Sequence, residues 1–334
     1  MAKIKEGKEN ISKLEETLLR LNREYGAGTI LCGNTIQMEF DIVDTGSIAL
    51  NAAIGIGGAP RGRIMEIVGP ESSGKTTLLL ELIANAQKAG IKCAMIDMEH
   101  HLSGAYAQSL GVNLDELILS QPLYGESAMK IAEELIKTKE VGLVAVDSVA
   151  ALVPKSEVES GVGDPKMAGI ARIMSQALRV INPLVEVNNV LLIFTNQIRS
   201  NPGGMVAEEP TGGKALRFYA GVRLDMRRIK NDRNEEMSRT KIKVLKNKVG
   251  KPFSEIEIDL IWGEGFGKMG EIVDIAEELG IIVLSGSWYK NPGKDGTSIA
   301  QGRNAMIQLL KDNPEMAATW KAEIISKLTP VKGE

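Results

Sequence analysis

Short apolar runs alternate with longer amphipathic segments through the middle of the chain. The longer segments between them are rich in Leu, Ala and Glu, which suit helices. Strands and helices in alternation are typical of a parallel sheet with helices on its faces. The predicted strands are Ile64–Val68, Cys93–Ile96, Leu117–Leu119, Leu143–Val146 and Val190–Phe194, and the predicted helices are Thr76–Ala89, Ser127–Thr138 and Met167–Val187.

The pattern changes twice towards the C-terminus. Residues Thr240–Val249 and Ser254–Ile261 alternate polar and apolar side chains, which predicts half-exposed antiparallel strands. From Gly270 the chain has shorter helical segments and turns, which predict a small appended domain of about sixty residues. We therefore expect three parts: residues 1–35, a core of residues 36–269, and residues 270–334.

The N-terminal segment predicts an amphipathic helix over residues 9–25. Its apolar side chains recur at helical spacing on one face: Ile11, Leu14, Leu18, Leu21 and Tyr25. This face can pack on its own domain or dock on a neighbouring subunit. The spacing alone does not favour either interpretation.

Composition is that of a globular protein. The 334 residues are 43% hydrophobic but only 4% aromatic, so the core must be aliphatic. A net charge of −3 does not predict nucleic-acid binding, which would need a local basic patch. Cys32 and Cys93 lack metal-ligand spacing and are expected to be buried thiols. Without an apolar signal segment or a bilayer-long apolar run, the sequence predicts a cytoplasmic protein.

A phosphate-binding loop lies between the first predicted strand and helix. Its residues are Gly69, Pro70, Glu71, Ser72, Ser73, Gly74, Lys75, Thr76 and Thr77. They fit the pattern G-x-x-x-x-G-K-[ST]. The glycines let backbone N–H groups approach phosphate oxygens, Lys75 can reach the β- and γ-phosphates, and the Thr76 hydroxyl can bind Mg²⁺. The strand and helix on either side make a nucleoside triphosphate site the favoured interpretation.

Polar residues end three of the predicted strands. Asp147 is favoured as the Mg²⁺-binding acid, against a strand-end Asp that caps a loop. Glu99 can polarise an attacking water or can be a solvated loop carboxylate, and Gln197 can sense the γ-phosphate or satisfy loop backbone. The adjacent His100 and His101 are expected to be loop residues, because no third metal ligand accompanies them.

A polar stripe runs along the longest predicted helix. Arg172, Ser175 and Arg179 share one face, and glycine-bearing loops at residues 159–164 and 198–213 flank the helix. This arrangement suits a phosphodiester backbone, although an ordinary solvated face is the preferred explanation when the stripe is taken alone.

Several segments together resemble the bacterial RecA family of homologous-recombination ATPases. They are GPESSGKTT, AMIDMEH, VDSVAALVPK, RIMSQALR, NQIR, TGGKALRFYA and LKNK. The resemblance runs from about Leu14 to Ala322. It implies a RecA-like phosphate-loop NTPase core of the α/β class, with a mostly parallel central sheet, an N-terminal helix segment and a small α+β C-terminal domain.

The resemblance also implies the activity and its partners. It indicates a helical homo-oligomeric filament that hydrolyses ATP with Mg²⁺, binds single- and double-stranded DNA, and exchanges strands in recombinational repair. It further implies stimulation of repressor self-cleavage in the SOS response. The N-terminal helix would then dock on the adjacent protomer, and the C-terminal lobe would gather duplex DNA through Lys290, Lys294 and Arg303.

Individual roles follow from the same resemblance. Lys75 and Thr76 match contacts to phosphate and Mg²⁺, Glu99 a general base, Asp147 the Walker B acid and Gln197 a γ-phosphate sensor. Tyr106 matches a residue that packs on adenine, and Lys246 and Lys248 match a pair that reaches the neighbouring subunit's ATP. The positions that match contacts to single-stranded DNA are Met167, Arg172, Ser175, Arg179, Arg199, Gly212 and Gly213.

The chain also departs from the family pattern. Ser103 stands where an Asp is common, the loop of residues 200–210 is short and lacks an aromatic, and Lys214 replaces an Asn. The sequence ends without a long acidic tail. These departures suggest a divergent, accessory or phage-type member. The alternatives are a small-molecule kinase, for which an Arg-rich lid is missing, and a related motor or paralogue without strand exchange.

Overall fold

The computed structural model describes residues 12–26, 30, 39–160, 169–200, 208–229, 237–292 and 296–328. The chain divides into two compact units, Met1–Phe40 and Asp41–Glu334. In the first unit, helix α1 (Lys13–Tyr25) begins at a capping box, because Ser12 Oγ accepts from the Glu15 N–H and Glu15 Oε2 accepts from the Ser12 N–H. The predicted N-terminal helix is confirmed from Lys13 onward, and residues 9–11 lie outside the described ones.

The second unit contains the remaining strands and helices. Its strands are β1 (Ile42–Val43), β2 (Ala59–Pro60), β3 (Arg63–Gly69), β4 (Cys93–Asp97), β5 (Leu117–Ser120), β6 (Leu143–Asp147), β7 (Leu191–Ser200), β8 (Glu208–Pro210), β9 (Val222–Ile229), β10 (Met237–Asn247), β11 (Glu255–Ile261), β12 (Gly265–Phe266), β13 (Val283–Ser285), β14 (Trp288–Lys290) and β15 (Ser298–Gln301). Its helices are α2 (Ile48–Ile54), α3 (Lys75–Lys88), α4 (Gly104–Ser109), α5 (Gly125–Lys137), α6 (Lys155–Ser160), α7 (Gly169–Val187), α8 (Ala215–Tyr219), α9 (Lys268–Glu278), α10 (Gly302–Asp312) and α11 (Pro314–Leu328).

One large mixed sheet organises this unit. Within the described residues its order is β12-β11-β10-β9-β3-β7-β6-β4-β5, and β8 pairs with β7 outside that path. Neighbours from β9 to β5 run parallel, whereas β9, β10, β11 and β12 pair antiparallel. The predicted parallel strands and the antiparallel pair β10–β11 are confirmed. The parallel pairing of β9 with β3 was not predicted.

The hydrophobic core lies on both faces of this sheet. Successive side chains of a strand point to opposite faces, so Met65 and Ile67 join one apolar cluster with α3, whereas Ile64 joins another with α5 and α7. Every residue of β4 and β6 is buried, which explains why these strands read as continuous apolar runs. Burial also raises the pKa of the Cys93 thiol to about 12, and Cys32 lies outside the described residues.

The C-terminal region has an apolar cluster of its own. It is formed by helices α9 to α11 and the small sheet β13–β14–β15, and Ile48 of α2 also belongs to it. Arg303 links this region to the large sheet, donating to Asp259 at 2.6 Å and to Asp274 at 2.7 Å. The guanidinium is therefore held by carboxylates of its own chain, and its contact with DNA stays a prediction. Lys290 ends β14, and Lys294 lies outside the described residues.

None of the helices in the described part of the chain combines the length and apolar character needed to cross a membrane.

Candidate functional site

The phosphate-binding loop connects β3 to α3 at the carboxyl edge of the large sheet. Gly74 has φ +95°, and a Cβ there would lie 2.4 Å from Leu260 Cδ1. A Cβ on Gly69 would lie 2.3 Å from the Met226 carbonyl oxygen. Both positions therefore need glycine, because any side chain would collide with β9 or β11.

Lys75 is held at the mouth of this loop. Its Nζ donates to the carbonyl oxygens of Gly69 at 3.1 Å and Pro70 at 2.6 Å. Burial lowers the pKa of Lys75, and the nearby carboxylates of Asp147 and Glu99 oppose that shift. The ammonium is thus positioned by carbonyl oxygens of its own loop, in the place where phosphate oxygens can accept.

Asp147 ends β6 directly beside the start of α3. Its Oδ2 accepts from Thr76 Oγ1 at 3.0 Å, and its Oδ1 accepts from Thr195 Oγ1 at 2.5 Å. Burial raises the pKa of Asp147, and the negative charge of Glu99 raises it further. A hydroxyl and a carboxylate in contact supply two oxygen ligands of the kind that Mg²⁺ prefers.

Glu99 follows β4 and is held from two sides. Ser148 Oγ donates to Glu99 Oε1 at 2.6 Å, and Gln197 Nε2 donates to the same oxygen at 3.3 Å. Asp97 accepts from the Glu99 N–H at 3.1 Å and thereby shapes the turn that carries this carboxylate. The structure thus brings Glu99, Asp147 and Gln197 together at neighbouring strand ends, as ligand sites of parallel sheets require.

A cavity of about 200 Å³ continues from the loop. The lining residues are Ser72, Ser73, Gly74, Lys75, Thr76, Thr77, Tyr106, Ser238, Leu260, Ile261 and Trp262. Tyr106 is tied to the loop, because its hydroxyl lies 2.8 Å from Thr77 Oγ1. Ser103 caps α4 and accepts from the Tyr106 N–H, so this residue has a local structural role where the family has an acid.

Sequence reasoning missed four residues of this cavity: Ser238, Leu260, Ile261 and Trp262. They belong to β10 and β11 or follow them, far along the chain from the loop. The only signal was Trp262, an aromatic directly after an alternating strand in an aromatic-poor chain, which is 60% exposed.

The residues fit a nucleoside triphosphate with a divalent cation. Glycines leave room for phosphate at the loop, Lys75 supplies positive charge, and Thr76 with Asp147 offers oxygen ligands. Ser73 Oγ is buried and has no hydrogen-bond partner within the described residues, so a donor or acceptor from a ligand can satisfy it.

Lys246 and Lys248 are not among the residues that line this cavity. Lys246 is the penultimate residue of β10 and donates to the carbonyl oxygens of Arg217 at 2.7 Å and Phe218 at 2.9 Å, near the end of α8. Burial lowers the pKa of Lys246, and the charge of Lys248 lowers it further. The structure therefore does not place the two cations in the cavity of their own chain.

The predicted DNA-contacting residues lie on α7 and at the turn before α8. Arg172 and Arg179 are exposed, and Ser175 is half-buried between them. Gly212 and Gly213 have φ +86° and +75°, and a Cβ on Gly212 would lie 2.7 Å from Val149 Cγ1. Arg199 lies in β7, and Met167 falls outside the described residues.

Comparison with known proteins identifies the family. The model of the RecA N-terminal domain matches residues 12–267, and that of the RecA C-terminal domain matches residues 270–329. The chain belongs to the RecA family. The fold predicted from the sequence, a RecA-like α/β core with a mostly parallel sheet and a small C-terminal region, is therefore confirmed.

Individual RecA proteins match nearly the whole chain. Protein RecA of Rickettsia bellii (strain OSU 85-389) is 49% identical over 306 residues, which are 90% of this chain and 88% of the relative. Protein RecA of Parvibaculum lavamentivorans is 48% identical over 328 residues, with coverage of 96% and 89%. Protein RecA of Cytophaga hutchinsonii is 46% identical over 327 residues, with coverage of 96% and 91%.

As a member of the RecA family, the protein is a DNA-dependent ATPase. It binds nucleotide and DNA, forms filaments, and pairs and exchanges homologous strands in recombination and repair. The alternatives of a small-molecule kinase and of a motor without strand exchange are thereby set aside.

Proposed function

We propose that the nucleotide is ATP with Mg²⁺, bound in the cavity that begins at the phosphate loop. Residues Gly69 to Thr77 would hold the triphosphate, and Tyr106 would pack on the base. Thr76 and Asp147 would hold Mg²⁺, which neutralises negative charge on phosphate oxygens when bound. The observation that carries the proposal is the convergence of Thr76 on Asp147 and of Gln197 on Glu99 at one edge of the sheet.

Each polar side chain then has a distinct task in hydrolysis. Glu99 is the general base that accepts a proton from the attacking water, because its carboxylate is oriented by Ser148 and Gln197. Lys75 stabilises charge on the terminal phosphates. Gln197 can exchange its contact with Glu99 for a phosphate oxygen, and it would thereby register whether the γ-phosphate is present.

Filament assembly would depend on nucleotide through the paired lysines. Lys246 and Lys248 lie outside their own cavity, so we assign them to the ATP of a neighbouring subunit, where they would complete the site. Helix α1 would dock on the adjacent protomer through the apolar side chains that recur on one of its faces. Nucleotide between subunits would couple ATP binding to polymerisation.

DNA would bind along α7 and the glycine-bearing loops. The residues proposed for single-stranded DNA are Met167, Arg172, Ser175, Arg179, Arg199, Gly212 and Gly213. The C-terminal region would help to gather duplex DNA, with Lys290 and Arg303 as the candidates among the described residues. Stimulation of SOS repressor self-cleavage, a cytoplasmic location, and the division at residues 35 and 269 stay predictions.

The assignment of Glu99 can be tested by separating binding from chemistry. Glu99→Gln keeps the shape and the hydrogen-bonding partners but removes the base. We expect ATP hydrolysis with saturating single-stranded DNA to fall by about 10²–10⁴-fold. Binding of a fluorescent ATP analogue should persist, because Lys75 and the loop are unchanged.

The exposed Glu278 of α9 provides the control, as Glu278→Gln makes the same chemical change far from the cavity. Hydrolysis by Glu99→Gln within a few-fold of the Glu278→Gln rate would show that another group takes the proton.

A further inference from the structure

A charged residue lies in the middle of the large sheet. Glu66 belongs to β3, and its side chain is 1% exposed. Arg223 of β9 is directly opposite Glu66 in the strand register, and its Nε donates to Glu66 Oε2 at 2.5 Å. Asn196 of β7 donates through Nδ2 to Glu66 Oε1 at 3.0 Å. One carboxylate thus joins three adjacent strands.

Stability alone does not account for this arrangement. Desolvation of a buried ion pair largely cancels its attraction, so apolar residues of similar volume often serve a core equally well. The surrounding strands supply such residues, because Ile64 and Phe194 on β3 and β7 are fully buried and apolar. The Glu66–Arg223 pair also holds the amide of Asn196, and the position of that amide offers a better explanation.

Asn196 connects the hydrogen-bond network of Glu66, Arg223 and Asn196 to the turn that precedes α8. Its Nδ2 donates a second hydrogen bond to the Thr211 carbonyl oxygen at 2.9 Å. The Thr211 N–H in turn donates to the Gln197 carbonyl oxygen at 3.3 Å. Thr211 immediately precedes Gly212 and Gly213, so the base of this turn is attached to the strand end that carries Gln197.

Two polar side-chain atoms at the contact between Asn196 and Thr211 lack hydrogen-bond partners among the described residues. Within the described residues, neither Asn196 Oδ1 nor Thr211 Oγ1 has a partner, although both atoms are buried. A buried polar atom without a partner costs stability, so another arrangement of the turn that satisfies these atoms competes with this one. The contact between Asn196 and the Thr211 carbonyl is therefore a natural point at which the turn can change.

We propose that Asn196, supported by Glu66 and Arg223, is a positioning residue that sets the Gly212–Gly213 turn for single-stranded DNA. The carboxylate fixes the amide in one orientation, and the amide fixes the Thr211 carbonyl. Because Gln197 is the next residue along β7, a change at the nucleotide reaches the turn through one peptide unit. The inference rests on the proposed contact of Gly212 and Gly213 with DNA.

The network and the lining of the nucleotide cavity consist of different residues. None of Glu66, Asn196 and Arg223 lines that cavity. Loss of the network should therefore weaken DNA binding and leave nucleotide binding in place. A general structural role would instead lower stability and both binding activities in parallel.

The test compares Asn196→Leu with Asn188→Leu. Both changes remove an amide that donates to a main-chain carbonyl and fill the space with an apolar side chain, since Asn188 Nδ2 donates to the Ile136 carbonyl oxygen at 3.1 Å. Full-length variants would be titrated with a labelled oligonucleotide in the presence of a non-hydrolysable ATP analogue. Binding of a fluorescent ATP analogue and the thermal midpoint would be measured in parallel.

We expect Asn196→Leu to raise the Kd for the oligonucleotide about tenfold, which corresponds to about 1.4 kcal/mol, with nucleotide binding as in wild type. Asn188→Leu should leave both affinities unchanged. An oligonucleotide Kd for Asn196→Leu equal to that of Asn188→Leu would overturn the proposal. So would a parallel loss of stability, nucleotide binding and DNA binding.

A second variant keeps the proposal testable if Asn196→Leu does not fold. Glu66→Gln retains the shape of the side chain and removes its charge, so the Asn196 amide is held less firmly. We expect the same selective weakening of DNA binding to a smaller degree, and parallel loss of nucleotide binding would again overturn the proposal. An Arg172→Ala, Arg179→Ala double variant with normal DNA affinity would count against the α7 surface and not against this network.

Discussion

Two buried side chains of opposite charge dominate the site at the scale of single residues. Burial lowers the pKa of Lys75 and raises that of Asp147, so each environment disfavours the charged form. The carboxylate of Asp147 partly offsets this effect at Lys75, and hydrogen bonds from Thr195 and Thr76 partly offset it at Asp147. A phosphate group with Mg²⁺ would stabilise both charges at once, which makes ligand binding the natural completion of this pair.

Lys75→Ala tests the phosphate loop directly. Among the described residues that line the cavity, Lys75 is the only one with a positive charge. We therefore expect affinity for an ATP analogue to fall by on the order of a hundredfold and hydrolysis to become undetectable. Equilibrium titration with a fluorescent analogue measures the loss. Lys88→Ala, at the far end of the same helix α3, is the matched control, and near-normal hydrolysis by Lys75→Ala would refute the loop assignment.

Elements in this chain are joined by polar anchors as well as by apolar packing. Glu271 of α9 reaches the start of α2, where its carboxylate accepts from Ser47 Oγ at 2.5 Å and from the N–H groups of Ile48 and Ala49 at 3.0 Å. Helix α2 is short, so its unpaired N-terminal N–H groups need such partners. The C-terminal region is therefore attached to the core through a helix cap supplied by another helix.

The pH dependence of stability should report this anchor. Burial raises the pKa of Glu271 above its usual value of 4.5, so the folded protein binds a proton that the unfolded chain releases. The stability contributed by the protonated form is complete below pH 4.5 and is lost as pH rises through the folded-state pKa. Glu271→Gln does not titrate.

We therefore expect the free energy of unfolding of the wild type to fall relative to that of Glu271→Gln as pH rises above 4.5. Urea unfolding of both proteins over a pH series measures the difference, and Glu278→Gln on the same helix serves as a control. A wild type that gains stability relative to Glu271→Gln over this range would contradict the assigned direction of the pKa shift.

Local patterns predicted most of the longer helices and strands of the core and failed at β9 for a physical reason. The strands flanking β3 on one side were visible because both of their faces are buried and apolar. Strand β9 was missed because it carries Arg223 and Asp225, whose charges hide the buried alternation with Val222, Leu224 and Met226. The charge of Arg223 is matched by Glu66, more than 150 residues away, and no local pattern contains that information.

Among the site residues, those in local motifs were predictable and those brought in by long-range strand pairing were not. Loop and strand-end residues such as Lys75 and Asp147 were predictable, because each belongs to a compact motif next to an element. The cavity wall formed by Leu260 and Trp262 was not, since it depends on long-range strand pairing. The ion pairs of Arg303 were not predictable either, because charge alone does not reveal that Asp259 and Asp274 lie beside it.

The whole molecule has a net charge of −3, so DNA must bind to a local basic surface. The exposed Arg172 and Arg179 lie one above the other on α7 and provide the proposed cations. Phosphate contacts release counterions, so the salt dependence of binding counts them.

The double variant Arg172→Ala, Arg179→Ala should bind single-stranded DNA more weakly and with a log–log salt slope smaller by about 1.4, because each lost contact removes about 0.7. Oligonucleotide titrations at several salt concentrations measure the slope. Lys130→Ala with Lys137→Ala makes the same change in net charge on the neighbouring helix α5 and controls for it. Equal salt slopes for the two double variants would show that Arg172 and Arg179 belong to an ordinary solvated surface and do not contact DNA phosphates.

Polymerisation depends, in our proposal, on residues of one subunit that complete the nucleotide site of the next. Lys246 and Lys248 do not line the nucleotide cavity of their own chain, and their proposed role therefore needs a second chain. Electron microscopy of the wild type and of a Lys246→Ala, Lys248→Ala variant, with single-stranded DNA and a non-hydrolysable ATP analogue, tests this requirement most directly. We predict long filaments of the wild type only when both ligands are present, and a variant that binds nucleotide normally but stays as single particles. Equally long filaments of the variant, or wild-type filaments that form without nucleotide, would contradict the account.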